Sequence, residues 1–346
     1  MPATSRAETE DNVDLSIIIV SWNVWEQLHN CLASIDEIST AVGSRRFFGP
    51  PDQRRSLEVV VVDNGSQDET VSQLPHAFPW VTLIANQANL GFTAGNNQGY
   101  AHSRGHAVYF LNPDTVLDNA RSGGDSLWTL YAPLLADAEI GLVGPQLRYA
   151  DDSPQNSCRR YPTTLTGFFE STWLGNLWPG NPWSRRLHMA DWQVDFRHDV
   201  DWLVGAAMMA RRETLESVRM PAYAGPFDEG FFMYSEELDL CRRIKASGRR
   251  IVYVPEAMVI HHEGRSSEQV VAARHIHFNT SKVLYYRKVF GPIWAERLRR
   301  YLLLEFRWQL LQERVKWLLG HKRELRQARI DAYREVLADG LSPTAG

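Results

Sequence analysis

The stretch Val108-Tyr109-Phe110-Leu111-Asn112-Pro113-Asp114-Thr115 decides the fold. Four apolar or aromatic residues suited to a pleated surface run straight into Asn-Pro-Asp. Proline cannot continue a central strand and biases the residue before it toward extended backbone. A buried strand therefore stops here and leaves Asp114 at its carboxyl end. In open α/β sheets, ligands bind beyond the carboxyl ends of the strands. Taken alone, Asn-Pro-Asp is only a turn signal; the rest of the chain changes that reading.

Leu15 to Val20 and Leu57 to Val62 are further apolar runs, and Trp80 to Ala85 and Ile140 to Val143 read as strands too. Leu28, Cys31, Leu32, Ile35 and Ile38 recur at helical spacing, a short helix starts near Asp68, small residues run to Gly105, and 122–136 reads as a helix. Residues 39–56, rich in Gly, Pro and Arg, read as a loop or insertion. Strands alternating with helices predict an α/β fold with right-handed βαβ units in a doubly wound, mostly parallel sheet. Neither G-x-G-x-x-G nor G-x-x-x-x-G-K is present, which disfavours hydride transfer and nucleoside triphosphate hydrolysis. Polar residues instead close successive strands: Ser21-Trp22-Asn23, Asp63-Asn64, Asn89, and Asn112 with Asp114. Such ends converge on one crevice.

The bulk numbers agree with a globular protein: 346 residues, 44% apolar, 23% charged. A net charge of −4 gives no sign of a nucleic-acid partner. Cys31, Cys158 and Cys241 are too scattered for a disulfide framework or zinc site, as in a reducing cytosol. Residues 1–14 form a polar tail without the apolar core of a signal peptide, and no apolar run is long enough to span a bilayer. The expected location is cytoplasmic, with contact at the inner face of the membrane left open.

Residues 151–198 break the pattern, holding Trp173, Trp178, Trp183 and Trp192 among Pro and Gly. They suit either a cover over a substrate groove or satellite packing. Order returns at Asp201-Trp202-Leu203-Val204-Gly205-Ala206 and in a helix from Arg212. Ser235 is placed to cap a helix whose first turn carries Glu236 and Glu237 and which Gly248 ends. Arg249 to Val254 and Ala257 to Ile260 read as strand, leading into His261-His262-Glu263-Gly264. Beyond about residue 268 the chain reads as helix. Residues 295–329 carry ten Lys/Arg against four Asp/Glu, and Tyr301, Leu304, Trp308, Leu311, Val315 and Leu318 trace one face. That face fits a membrane interface, or burial against its own domain or a second subunit of a homodimer.

Asp114, the Glu236/Glu237/Asp239 cluster and His261/His262 each have a bland reading: turn residue, helix ion pair with Arg242 or Arg243, satisfied histidine. On one sheet whose strand ends gather polar groups, they instead describe a divalent-metal site beside a general base. One carboxylate on a cation can offset charge on a leaving group, and another can take a proton from an attacking hydroxyl. Mixed Asp/His ligation suits Mn²⁺ or Mg²⁺.

The sequence resembles the inverting family-two glycosyltransferases of the GT-A fold, and among them the rhamnosyltransferase-like branch. The resemblance rests on Ser16-Ile-Ile-Ile-Val-Ser-Trp-Asn23, Val61-Val-Asp-Asn-Gly-Ser66, Asn89-Leu-Gly-Phe-Thr-Ala-Gly-Asn-Asn97 and Leu111-Asn-Pro-Asp-Thr115. Phe227-Asp-Glu, Glu236-Glu-Leu-Asp-Leu-Cys-Arg242 and the Pro255…His261 segment complete the ordered set, which spans roughly residues 15 to 267. It implies that Ser21 and Asn23 line the nucleotide pocket, that Asp63 bonds the base, and that Asn89, Gly91 and Asn96 lie against base and ribose. It implies that Asp114 and His261 meet the metal, with Asn112 in place of the family's first acid. Glu236-Glu237 stands for the family's Glu-Asp pair, with Glu237 as the base and Glu236 the alternative. Trp202, Gly205, Asp228 and Asp239 fall on the acceptor side.

The expected organisation is the tail 1–14, a catalytic domain 15–290 with a nucleotide half 15–145 and an acceptor half 146–267, and a basic amphipathic extension 291–340. The expected activity is metal-dependent, inverting transfer of a sugar to a glycan or lipid-linked acceptor in cell-surface polysaccharide synthesis. Rhamnose from dTDP-rhamnose leads, with dTDP-, UDP- and GDP-linked donors all open. One rival is a sugar-nucleotide pyrophosphorylase, which would carry a Gly-rich phosphate loop where Ser21-Trp22-Asn23 stands. The other is a non-catalytic carbohydrate-binding protein on a transferase fold.

Overall fold

The computed structural model describes residues 13–190, 195–262 and 271–343. Most of the polar tail, Trp192, Glu263 and Gly264 lie outside the described residues.

The first half is built from β1 (Leu15–Ser21), α1 (Trp25–Ile38), β2 (Thr40–Val42), β3 (Arg45–Phe48), β4 (Arg55–Asp63), α2 (Thr70–Ala77), β5 (Thr82–Ala85), α3 (Phe92–Ala101) and β6 (Ala107–Leu111). The expected 39–56 loop is thus a hairpin, β2–β3, paired antiparallel onto β4 at the sheet edge. β5, β4, β1 and β6 run parallel. Side chains of β1 alternate across the sheet: Ile17 and Ile19 pack with Leu28 and Leu32 of α1, while Ile18 packs with Tyr100 of α3. Each fully buried aliphatic chain of this kind contributes about 1.5–3 kcal/mol.

The second half runs β7 (Thr115–Leu117), α4 (Ser126–Ala136), β8 (Ile140–Arg148), β9 (Pro154–Gln155), β10 (Cys158–Arg159), α5 (Thr166–Phe169), α6 (Trp173–Leu177) and α7 (Pro182–Leu187). There follow β11 (His198–Asp199), β12 (Trp202–Leu203), β13 (Ala207–Arg211), α8 (Arg212–Val218), α9 (Glu236–Ala246) and β14 (Arg250–His261). The long path of the sheet is β11-β14-β8-β13-β6-β1-β4-β3-β2. β13 enters antiparallel between β6 and β8, so the parallel winding is interrupted at mid-sheet. β14 absorbs both predicted strands 249–254 and 257–260, with a register shift between Val254 and Met258. In the 151–198 segment, Phe169, Trp178 and Trp183 pack on one another, Phe169 and Trp183 stacked at 4.4 Å.

Three helices close the chain: α10 (Val271–Phe290), α11 (Pro292–Leu318) and α12 (Arg323–Asp339). They share an apolar cluster with Phe231 and Leu238 of the sheet domain. Among the described residues, no helix is long and apolar enough to cross a membrane.

Candidate active site

β1, β4 and β5 end in register at Ser21, Asp63 and Ala85, and β6 ends beside them at Leu111. Beyond these ends lies a cavity of about 970 Å³. Ser21, Asn89, Asn112 and Asp114 line it, and so do Gly205, Glu236, Glu237 and His261. Asp114 and Glu237 therefore open onto one space. Another wall comes from α10 and α11, through His275, Phe278, Leu302 and Phe306 among others. The expected extension is part of the site.

Asp114 meets His261 because β7 pairs antiparallel with β14, Thr115 opposite His261. Their side chains are buried, with Asp114 Oδ1 3.5 Å from His261 Nε2. His262 contributes its backbone instead: its amide donates to the Asp114 carbonyl at 2.9 Å. His261 Nδ1 lies 3.0 Å from Gln155 Oε1. With Nδ1–H donating there, Nε2 keeps its lone pair for a cation, the usual arrangement of a metal-binding imidazole. One carboxylate and one imidazole suit Mn²⁺ or Mg²⁺ that takes its other ligands from a diphosphate. Among the described residues, no cluster of three or more His, Cys, Asp or Glu could hold a metal without such help.

Glu236 and Glu237 open α9. The expected Ser235 cap is absent: Ser235 is left-handed with φ 65° and bonds no amide of the helix through its side chain. Tyr234 is left-handed as well, at φ 70°. Two non-glycine residues in this region carry roughly 1–3 kcal/mol of strain each, a pattern that clusters at functional sites. Burial pushes the Glu236 carboxyl well above the usual range, and the neighbouring Glu237 charge pushes it further. Burial also raises Glu237, held back by amides at the helix start, the Gly205 amide and the Arg159 guanidinium. Ser21 Oγ, Asp63 Oδ1, Asn112 Oδ1, Glu236 Oε2 and Glu237 Oε2 are buried without a hydrogen-bond partner. Buried polar atoms are nearly always paired, so the four of these orphans that line the cavity, all but Asp63 Oδ1, mark a place for a polar ligand.

Several expected residues sit elsewhere. Asn23, left-handed at φ 53°, ties two loops together: its amide donates to Ser66 Oγ and its Oδ1 accepts from the Gln67 amide. Asp63 Oδ2 accepts from the Ser66 amide at 2.9 Å, which leaves only Oδ1 for another group. Asn96 is turned into α3, donating to the Phe92 carbonyl. Gly91 has φ 94°, and a Cβ there would stand 2.8 Å from the Phe232 ring and carbonyl. Its role is the close approach of α3 to residues 231–232, where the Phe92 amide and Thr93 hydroxyl bond the Phe232 and Phe231 carbonyls.

On the acceptor side, Gly205 alone is at the cavity, a Cβ there reaching within 3.4 Å of Glu237 Cβ. Trp202 donates its indole N–H to the Arg160 carbonyl. Asp228 and Asp239 both grip Lys288 of α10, at 2.6 and 2.5 Å, and Asp239 also holds Arg243. These two carboxylates bolt α10 to α9 and to the loop before it, because a buried charge needs a partner. Sequence reasoning passed over Gln155 and the α10–α11 wall. Only pairing across the fold reveals the first, and the second reads as a separate extension.

Comparison with known proteins places this geometry in context. Residues 16–122 match the family described as Glycosyl transferase family 2. The N-acetylglucosaminyl-diphospho-decaprenol L-rhamnosyltransferase of Mycobacterium tuberculosis is 32% identical over 236 residues, covering 64% of this chain and 73% of that protein. Rhamnosyltransferase WbbL of Escherichia coli is 27% identical over 206 residues, 53% of this chain and 69% of its own. Among solved structures, the mannosyltransferase PcManGT of Pyrobaculum calidifontis, in complex with GDP-Man and Mn²⁺, aligns with TM-score 0.50 and 16% identity over 95% of this chain and 86% of that one. GalNAc-T7 with UDP, GalNAc and Mn²⁺ aligns with TM-score 0.52 and 15% identity over 80% of this chain and 50% of that one. At those identities the likeness is one of fold.

Proposed function

The chain belongs to glycosyl transferase family 2, a rhamnosyltransferase-like glycosyltransferase on a GT-A fold, and from that premise we propose that it performs metal-dependent, inverting transfer of rhamnose from dTDP-rhamnose to a lipid-linked glycan. The observation that carries this reading is that Asp114 with His261, and Glu236 with Glu237, line one cavity at the strand ends. The Mycobacterium relative's name, a rhamnosyl transfer involving a diphospho-decaprenol, supports the choice of sugar and acceptor class. The Mn²⁺ in the two solved structures supports the choice of ion.

Asp114 and His261 would hold Mn²⁺ or Mg²⁺, with Gln155 fixing the imidazole. When bound, the ion offsets the negative charge that builds on the leaving diphosphate. Ser21, Asn89 and Asn112, with Asp63 behind them, receive the nucleoside. Glu237 takes the proton from the acceptor hydroxyl as that oxygen bonds to the anomeric carbon and the bond to the diphosphate breaks on the opposite side. Attack in line with departure inverts the configuration. The charge of Glu237 raises the buried Glu236 carboxyl beside it, so the two carboxyls titrate as a unit.

Incubation with dTDP-, UDP- and GDP-sugars, Mn²⁺ and a diphospho-lipid-linked glycan tests this. The expected result is release of dTDP and a product of inverted anomeric configuration. Sugar-nucleotide binding without turnover across such a panel would favour the non-catalytic rival.

A further inference from the structure

α11 has two apolar stripes half a turn apart. One, Leu298, Leu302, Phe306 and Leu310, is buried against α10, α12 and the cavity. The other is the stripe of Leu304, Trp308, Leu311, Val315 and Leu318, and it faces outward: Leu304 is 60%, Trp308 53% and Leu318 69% exposed. Single exposed apolar residues are ordinary; five along one line of a helix of 27 residues, about 40 Å long, are not. α5 and α6 stand beside this face, since the Trp173 amide of α6 donates to Glu305 and Phe168 of α5 packs on Trp294 and Tyr301. Trp173 and Leu177 of α6, and Trp178 just after it, are exposed as well.

The charges on α11 select the occupant. Arg297, Arg300, Arg307 and Arg314 are exposed on or beside the stripe. Of the three acids of the helix, Glu305 and Glu313 are buried, while Glu296 is half-buried near its start and paired with Arg299 and Arg300. With Arg300 paired to Glu296, the edge of the apolar stripe still carries an excess of cations through Arg297, Arg307 and Arg314, which complements an anionic bilayer surface. Two copies packed through this face would set arginine against arginine, because an isologous contact brings the same patch to itself.

We propose that α11, flanked by α6, is an in-plane docking surface for an anionic membrane. It deepens the proposed function, because Leu302, Glu305, Phe306 and Gln309 of the same helix line the cavity. A glycan carried on a lipid at that surface would then lie one helix diameter, about 10–12 Å, from the cavity that Glu237 lines.

The test is co-sedimentation of the full chain with phosphatidylcholine vesicles, with and without phosphatidylglycerol and without any glycan acceptor. Binding roughly tenfold or more tighter on the anionic vesicles, weakened by salt, is expected. Trp308→Glu with Leu311→Glu should abolish it, Arg307→Glu with Arg314→Glu should remove the preference for anionic lipid, and circular dichroism should report an unchanged fold for both. Equal binding to both vesicles, or none, overturns the inference. So does a dimer in solution that Leu311→Glu dissociates. Because the vesicles carry no acceptor, binding without sugar transfer would uphold this surface and sink only the transferase reading, and transfer without binding the reverse.

Discussion

His261 Nε2 stands 3.5 Å from Asp114 Oδ1 while its other ring nitrogen is held by Gln155. The pairing of β7 with β14 brings the two together, and Gln155 chooses which nitrogen faces the carboxylate.

Gln155→Leu should therefore weaken Mn²⁺ binding by roughly 10–100-fold while leaving the fold intact, as losses behind a metal-binding histidine do. Direct Mn²⁺ titration followed by electron paramagnetic resonance reads this without any turnover. Unchanged affinity would remove Gln155 from the account.

The raised Glu236 and Glu237 carboxyls have a consequence for stability. From about pH 4.3, the free glutamate value, up to their raised values, the folded chain keeps protons that the unfolded chain has lost. Stability is therefore lost as pH rises through that window. Glu236→Gln should remove this loss: its melting temperature should match the parent near the bottom of the window and exceed it by ~2 °C or more above. In the parent, the acid limb of kcat/KM should lie above the free glutamate value. A variant less stable than the parent at neutral pH would contradict the raised Glu236 carboxyl.

Lys288→Met leaves Asp228 and Asp239 buried without their cation, Asp239 retaining only Arg243. Loss of a buried partner of this kind costs about 3 kcal/mol. Urea unfolding should show it, and the double variant Lys288→Met/Asp228→Asn should recover part. If Asp228→Asn alone abolished transfer with the fold unchanged, the acceptor-side role expected from sequence would be restored.

Gly91→Ala places a methyl 2.8 Å from the Phe232 carbonyl at a backbone φ of 94° that only glycine readily adopts. A destabilisation of at least about 2 kcal/mol is expected in a urea titration, with residues 231–232 displaced from α3. A neutral outcome would mean that this contact yields freely.

The parallel strands were legible because buried β-branched runs such as Leu15–Val20 and Leu57–Val62 end in polar turns. The β2–β3 hairpin was not, since Arg45, Arg46 and its exposed edge obscure alternation over three or four residues. The helix start at Glu236 was read correctly and its cap was not: a capping side chain requires extended backbone, and Ser235 is left-handed. Asp228 and Asp239 look like site acids in sequence because their partner, Lys288, is a distant residue on α10. α11 shows the deepest limit. Periodicity finds the Tyr301–Leu318 stripe, but with a second apolar stripe opposite, only the fold decides which one meets water.

The most direct measurement of the central claim separates binding from chemistry at two residues. With Mn²⁺ and dTDP-rhamnose, Glu237→Gln should bind donor about as tightly as the parent and lose roughly 10²–10⁴-fold in transfer rate, the usual contribution of a general base. Asp114→Ala should lose the Mn²⁺-dependent part of donor binding. A Glu237→Gln enzyme that transfers sugar within a few-fold of the parent rate, or an Asp114→Ala enzyme whose donor binding keeps its full Mn²⁺ dependence, would contradict the account.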